Sequence, residues 1–175
     1  MNNRYIILLR GINVSGKNKL SMQELRDLLK SSGFENVQTY IQSGNIILES
    51  KKEKTEIAEE IKQAIDQKFG YDVPVIIRTV DEWKKIIDKI PYPLNEGKSL
   101  YFTFLDCVPE KTEITINKLD SDEYTIINDV VYLYCLGGYG NTKLSNNIFE
   151  KKLDVKASTR NYRTTMKLLE MATKE

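Results

Sequence analysis

Residues 37–48 read VQTYIQSGNIIL, and this stretch decides the fold class. Its two halves, residues 37–42 and 45–48, are rich in β-branched and aromatic side chains, which favour extended strands. Ser43-Gly44 between them predicts a tight hairpin turn, because glycine adopts a positive φ at little cost. The sequence therefore predicts two neighbouring antiparallel strands here.

A helix is predicted on each side of this hairpin. Ser21 and Glu24 have the spacing of a capping box, which predicts a helix over residues 22–32. Apolar residues at helical spacing predict a second helix over residues 55–69. Apolar strands at residues 5–9 and 73–78 complete the order β-α-β-β-α-β, which is that of the split βαβ or ferredoxin-like motif.

The second half of the chain also predicts a mixture of strands and helices. Two strands are predicted around Asn128-Asp129, and Ser145 and Thr159 are the predicted caps of two C-terminal helices. The predicted elements are helices at 81–90, 109–119, 146–153 and 160–173 and strands at 99–105, 123–127 and 130–136. The expected fold class is α+β: two tandem ferredoxin-like (split βαβ) units with extra C-terminal helices, divided into residues 1–79 and 80–175.

The composition excludes several kinds of enzyme. The chain contains no histidine, so Ser-His-Asp and Cys-His catalysis and histidine-ligated zinc are excluded. Its two cysteines, Cys107 and Cys135, are expected to be core thiols and belong to no metal-ligand cluster. The sequence predicts no metal and no cofactor.

The location expected from the sequence is the cytoplasm. The first strand follows the N-terminal residues directly, without the apolar segment of a signal peptide, and no apolar run approaches the thickness of a bilayer. No membrane partner is expected.

Charge is distributed unevenly along the chain, although the net charge is only +1. Residues 1–48 carry six Lys or Arg against three Asp or Glu, and residues 143–175 carry eight against four. Residues 49–142 carry 12 against 18. Ordinary surface scatter is one interpretation, and the other is that the two basic ends form one positive face.

The run RGINVSGKNK at residues 10–19 follows the first strand and misses a phosphate-binding P-loop by one residue. Gly11, Gly16 and Lys17 fit that motif, but Asn18 stands where a hydroxyl would bind magnesium. The predicted helix start at Ser21 is also too late for it.

Three interpretations of this run remain open. The first is a structural turn in which asparagines and glycines satisfy backbone groups. The second is a binding site for phosphate, a nucleotide or a nucleic-acid backbone. The third is a protein-binding surface. The candidate ligand-binding residues are Arg10, Asn13, Lys17, Asn18 and Lys19. Ser43 and Asn45 join this set if the hairpin end folds over the run.

Two further segments suggest anion binding. Residues 140–145 (GNTKLS) echo residues 16–21 (GKNKLS), which makes Lys143 a candidate, although good helix capping explains the echo equally well. Residues 156–163 place Thr159, Arg160, Asn161 and Arg163 around a predicted helix N-terminus. Cations there oppose the helix dipole, so a bound anion would explain them.

The segments at 8–14, 16–19, 39–45 and 158–162 make the sequence recognisable; they read LLRGINV, GKNK, TYIQSGN and STRNY. The chain closely resembles the bacterial family catalogued as domain of unknown function sixteen ninety-seven. The resemblance implies a tandem pair of ferredoxin-like units and brings no activity. Family members more often have glycine and tryptophan where this chain has Ser15 and Tyr162.

The leading functional hypothesis is a cytoplasmic binding protein for a phosphorylated small molecule or a nucleic-acid segment. One alternative is an enzyme acting on a phosphorylated small molecule, with Lys17, Lys143 or Asp106 in place of histidine. Another is a structural protein-interaction module. Ferredoxin-like units host all three roles, so the fold does not choose between them.

Overall fold

The computed structural model describes residues 2–174, which form two compact units. The first unit runs from the start of the described chain to Lys85 and resumes at Leu168. The second is Ile86–Lys167. The architecture is mixed α+β, with two four-stranded antiparallel sheets and five α-helices in the described residues.

The first unit has the predicted element order β-α-β-β-α-β. Its elements are β1 (Asn3–Leu9), α1 (Met22–Ser31), β2 (Glu35–Tyr40), β3 (Asn45–Ser50), α2 (Lys54–Phe69) and β4 (Val75–Thr79). Helix α3 (Val80–Asp88) follows directly, and the chain passes into the second unit within it.

The strands of the first unit lie in the order β2-β3-β1-β4, and each neighbouring pair is antiparallel. Ile7 in β1 pairs with Ile46 in β3 and with Ile77 in β4. These side chains share a core with the apolar stripes of α1 and α2, whose most buried members are Leu25, Leu29, Ile57, Ile61 and Ile65. Burial of that stripe on each helix is the main reason the helices form here.

The second unit contains a sheet of the same strand order, β6-β7-β5-β8. Its elements are β5 (Leu100–Leu105), β6 (Glu123–Ile127), β7 (Val130–Tyr134), α4 (Asn146–Leu153), β8 (Ala157–Asn161) and α5 (Tyr162–Thr173). The chain returns to the first unit within α5. Phe149 and Leu153 of α4 pack with Leu105, Val131 and Leu133 to form the core of this sheet face.

The predicted helix over residues 109–119 is absent, and this stretch has no regular structure. Pro109 was a suitable first residue, but Thr112, Ile114, Thr115 and Ile116 are β-branched and disfavour a helix. Burial alternates instead. Ile114, Ile116 and Leu119 pack against the core of the second unit while Thr115 and Asn117 are exposed.

Strand β8 was not predicted, because residues 157–161 read ASTRN and contain a single β-branched residue. Thr159 was expected to cap a helix beginning at residue 160, but it lies within β8, and α5 begins at Tyr162. The first predicted hairpin also differs. Strand β2 ends at Tyr40, so the loop has four residues, 41–44, rather than two.

The C-terminal ends of β1 and β5, which hold the same position in their sheets, make similar backbone hydrogen bonds. After β1, Leu9 N–H donates to Gly44 O (2.8 Å) and Arg10 N–H to Pro74 O (3.0 Å). After β5, Leu105 N–H donates to Asp129 O (2.9 Å) and Asp106 N–H to Lys156 O (3.0 Å). No helix within residues 2–174 is long and apolar enough to cross a bilayer.

Candidate functional site

Residues 13–18 form a small hairpin. Lys17 N–H donates to Val14 O at 2.9 Å, and Asn13 N–H donates to Asn18 O at 3.1 Å. The two residues at the turn, Ser15 and Gly16, have φ of 49° and 76°. Positive φ at both central residues is the mark of a type I′ turn, whose twist suits a two-residue hairpin. We call residues 10–19 the Gly-Lys loop.

Asn13 is the residue that holds the Gly-Lys loop in place. Its Nδ2 donates to Leu20 O and to Gln42 O, both at 2.8 Å, and its Oδ1 accepts from Leu20 N–H at 2.8 Å. Its φ of 53° lies in the left-handed region that asparagine tolerates. Asn13 thus joins both ends of the loop and the β2–β3 hairpin, and its side chain serves the fold.

Asn18 is also used internally, since its Nδ2 donates to Gly11 O at 3.0 Å. Helix α1 begins only at Met22, where the Ser21 hydroxyl accepts from Glu24 N–H at 3.1 Å as predicted. The loop therefore ends well before the helix and does not have P-loop geometry, in which the lysine lies in the first helical turn.

The end of the β2–β3 hairpin lies directly against the Gly-Lys loop. Gly44 is so close that a Cβ on it would lie 2.7 Å from Leu9 Cβ and 2.7 Å from Ile12 Cδ1. Buried Asn45 donates from Nδ2 to Tyr40 O and to the Ser43 hydroxyl, both at 2.9 Å. Ser43 and Asn45, both candidate ligand residues, thereby shape the hairpin loop.

Lys17 and Lys19 are exposed, and neither ammonium group has an ion-pair or hydrogen-bond partner among residues 2–174. Arg10 is partly buried at the base of the loop. The Lys19 carbonyl accepts from the Tyr71 hydroxyl at 3.0 Å, which fixes the backbone while leaving the side chain outside. No acidic residue occurs in the sequence before Glu24.

The candidates of the second unit are held differently. Arg160 is buried in β8, where its Nη1 donates to the Ser158 hydroxyl (2.7 Å) and to Thr159 O (2.9 Å). Thr159 lies on the other face of the strand. Its hydroxyl is 2.7 Å from that of Thr103 and donates to Asn146 Oδ1 at 2.6 Å. Neither side chain surrounds a helix N-terminus as predicted, because both belong to a strand.

Asn161 caps α5 instead of Thr159, since its Oδ1 accepts from Thr164 N–H at 2.8 Å. Arg163 is exposed in the first turn of that helix. Lys143 is exposed, and its Nζ donates to Lys118 O at 3.0 Å, which ties the loop before α4 to the irregular stretch. The similar segments 16–21 and 140–145 do not occupy equivalent positions in the two sheets. The first precedes α1, which follows the first strand of its sheet, and the second precedes α4, which follows the third strand.

A cleft of about 450 Å³ lies at the end of β5, lined by residues 107–111 and 152–155. Cys107 is exposed there, contrary to the expected core position, whereas Cys135 is buried. Partial burial and the neighbouring Asp106 carboxylate raise the pKa of Cys107, and burial raises the pKa of Cys135 to about 11. Both thiols therefore stay protonated near neutral pH, which makes them poor nucleophiles.

Asp106, the acid or base of the enzyme alternative, accepts from Lys156 N–H at 2.9 Å and so braces the start of β8. Within residues 2–174 no group of three or more cysteine or acidic side chains is placed to hold a metal ion.

The family model described as "Protein of unknown function (DUF1697)" matches residues 1–132. The chain belongs to this family. The match includes every element of the first unit up to α3, together with β5, β6 and the start of β7, and it ends before the segment at 158–162 that also carried the resemblance. No curated protein matches the chain.

A solved structure with the same fold is that of the conserved bacterial protein SP0830 from Streptococcus pneumoniae. The likeness covers 99% of this chain and 100% of the other, with a TM-score of 0.71 and 22% sequence identity. At this identity the likeness shows the fold alone.

Two exposed apolar residues, one within the Gly-Lys loop and one beside it, were overlooked at the level of sequence. Ile41 was predicted to lie in a strand and Val14 in the loop, and neither was named as a candidate. In the structure 49% of the surface of Ile41 and 56% of that of Val14 are exposed to solvent. Nothing in the sequence signals that Ile41 lies in a loop, since a β-branched residue before a turn is typical of a strand.

Proposed function

We propose that this DUF1697 chain binds a phosphate-bearing ligand, either a phosphorylated small molecule or a nucleic-acid segment, through Lys17 and Lys19 of the Gly-Lys loop. The observation that carries the proposal is that both ammonium groups are exposed and have no partner within residues 2–174. Each would gain a charge-assisted hydrogen bond from a phosphate oxygen.

The local charge around Lys17 and Lys19 supports this proposal. Several other lysines pair with acidic side chains, namely Lys52, Lys54, Lys62, Lys84, Lys98 and Lys174, whereas the sequence has no acidic residue before Glu24. Around Lys17 the loop is rigid, because Asn13 and Asn18 fix its backbone. A rigid loop loses little conformational entropy when it binds.

We also infer that both units are variants of the ferredoxin-like motif, in tandem. The identical strand orders and the corresponding backbone bonds after β1 and β5 support this inference. In the second unit the irregular stretch takes the place of the first helix. That the basic residues of both chain ends share one face stays a prediction.

The test is salt-dependent binding by the Lys17→Ala/Lys19→Ala variant. Pyrophosphate, ATP and a fluorescently labelled 12-nucleotide DNA strand are titrated at low and moderate salt. We expect binding to weaken about tenfold or more. For the DNA strand, the slope of log affinity against log salt concentration should fall in magnitude by about 1.4, which is about 0.7 for each lost phosphate contact.

Lys62→Ala/Lys84→Ala is the matched control, because it removes the same charge from two lysines of the first unit that already pair with Asp72 and Asp81. Both double variants should keep their melting temperature, since exposed charges contribute only about 0–1 kcal/mol to folding. Equal effects of the two variants on binding, or no binding of any probe by the native chain, would exclude the proposal.

A further inference from the structure

Two of the large apolar side chains that the structure exposes lie in or beside the Gly-Lys loop. They are Val14 (56% exposed) and Ile41 (49% exposed). Each is next in sequence to one partner of the hydrogen bond from Asn13 Nδ2 to Gln42 O. The other exposed large apolar residues, Leu94, Val108 and Leu136, belong to the second unit.

Ile41 has a backbone conformation that suits its side chain poorly. Its φ is 49°, in the left-handed region where a β-branched residue is an outlier. Glycine or asparagine would adopt the same conformation with less strain. Neither burial nor backbone preference accounts for an isoleucine at this position, and such an outlier motivates a hypothesis of function.

One apolar and one basic side chain of this surface are neighbours. Val14 and Lys17 are directly paired across the small hairpin, which places such side chains about 5 Å apart. This surface projects outward: Val14, Ser15, Gly16, Lys17, Ile41 and Gln42 are all exposed. A small phosphorylated molecule binds best in a concave pocket, whereas a polymer can cover a projecting surface.

We propose that the ligand of the Gly-Lys loop is single-stranded nucleic acid, with Val14 and Ile41 against base or sugar faces and Lys17 and Lys19 on neighbouring phosphates. This inference rests on the proposed function. A nucleic-acid strand carries flat apolar surfaces beside regularly spaced negative charges, as this surface requires. An acidic peptide would instead need pockets for its apolar anchors.

The decisive variant is Ile41→Asn, because asparagine relieves the backbone strain while removing the apolar surface. We expect its melting temperature to rise and its affinity for the labelled 12-nucleotide strand to fall roughly tenfold. The salt slope of binding should stay at the native value, because the phosphate contacts remain. Leu136→Asn, at an exposed apolar residue of the second unit, is the control and should bind normally.

Four outcomes would overturn the inference. The first three are native affinity in Ile41→Asn, equal affinity for a mononucleotide and the 12-nucleotide strand, and equal affinity for the same strand annealed to its complement, in which the base faces are covered. The fourth is equal competition by poly-glutamate, which would favour an acidic protein partner. These results are distinct from failure of the proposed function, in which the native chain binds none of the phosphate compounds.

Discussion

At the scale of single residues, the contact between the β2–β3 hairpin and the Gly-Lys loop depends on Gly44. Its φ is 80°, and a Cβ there would lie 2.7 Å from both Leu9 Cβ and Ile12 Cδ1. Gly44→Ala should therefore lose about 2–4 kcal/mol of stability, from backbone strain and overpacking together. Urea denaturation of the variant measures this loss.

Gly33→Ala is the control for that prediction. Gly33 has a φ of 90° but no atom within 4 Å of the added Cβ, so only the backbone cost of about 1–2 kcal/mol applies. If the two variants lost the same stability, the close approach of the hairpin to the loop would be wrong.

At the scale of elements, local chemistry predicted the first unit because its signals agree with one another. The capping box at Ser21, the apolar stripes of α1 and α2 and the apolar strands all indicate the same order, and the structure has it. In the second unit the signals conflict. Pro109 favours a helix start, while the β-branched residues that follow it disfavour a helix. Residues 157–161 have a low strand propensity, but their pairing with β5 makes them a strand.

The candidate site could be predicted only in part, for a related reason. Exposed lysines at 17 and 19 follow from the sequence, because they lie in a polar loop among glycines. The use of Asn13, Asn18 and Asn45 within the fold depends on which carbonyls come within reach, and residues far apart in sequence supply these, such as Gln42 for Asn13. Arg160 was misplaced because its strand was missed.

Strands β1 and β3 are joined by an ion pair that predicts a dependence of stability on pH. Arg4 Nη2 is 2.6 Å from Glu49 Oε1, and Asn36 Nδ2 donates to Glu49 Oε2 at 2.8 Å. The hydrogen bonds from Arg4 and from Asn36 lower the pKa of Glu49 below its ordinary value of about 4.5. The stabilisation is therefore present above that value and is lost as the pH falls through the lowered pKa.

Glu49→Gln should be less stable than the native chain at pH 7, by about 0.5–1 kcal/mol for a partly exposed pair. The difference should shrink as the pH falls through the lowered pKa of Glu49, because the native carboxylate is then protonated as well. Chemical denaturation at pH 7 and at a series of acidic pH values measures it, with exposed Glu113→Gln as the control. A difference that stays the same over the whole acidic series would mean that the charge of Glu49 is not responsible.

At the scale of the whole molecule, the first unit is built from both ends of the described chain. The last part of α5 belongs to it from Leu168 onward, and Leu168 and Ala172 are buried. Arg4 secures this end, since its Nη1 donates to Ala172 O at 2.9 Å and to Lys174 O at 2.6 Å. The same arginine thus joins β1 to β3 and to the end of α5.

A chain that stops after Lys167 should therefore lose stability in its first unit, although residues 1–85 remain intact. We expect amide hydrogens of β1 and β3 to exchange faster, because the truncation removes buried apolar side chains and leaves the Arg4 guanidinium without its two carbonyl acceptors. Hydrogen exchange read by mass spectrometry assigns the change to individual strands. The full chain with exposed Thr173→Ala is the control, since it alters the last turn without removing either carbonyl. Native exchange rates in β1 and β3 of the truncated chain would show that the first unit is complete without the C-terminal segment.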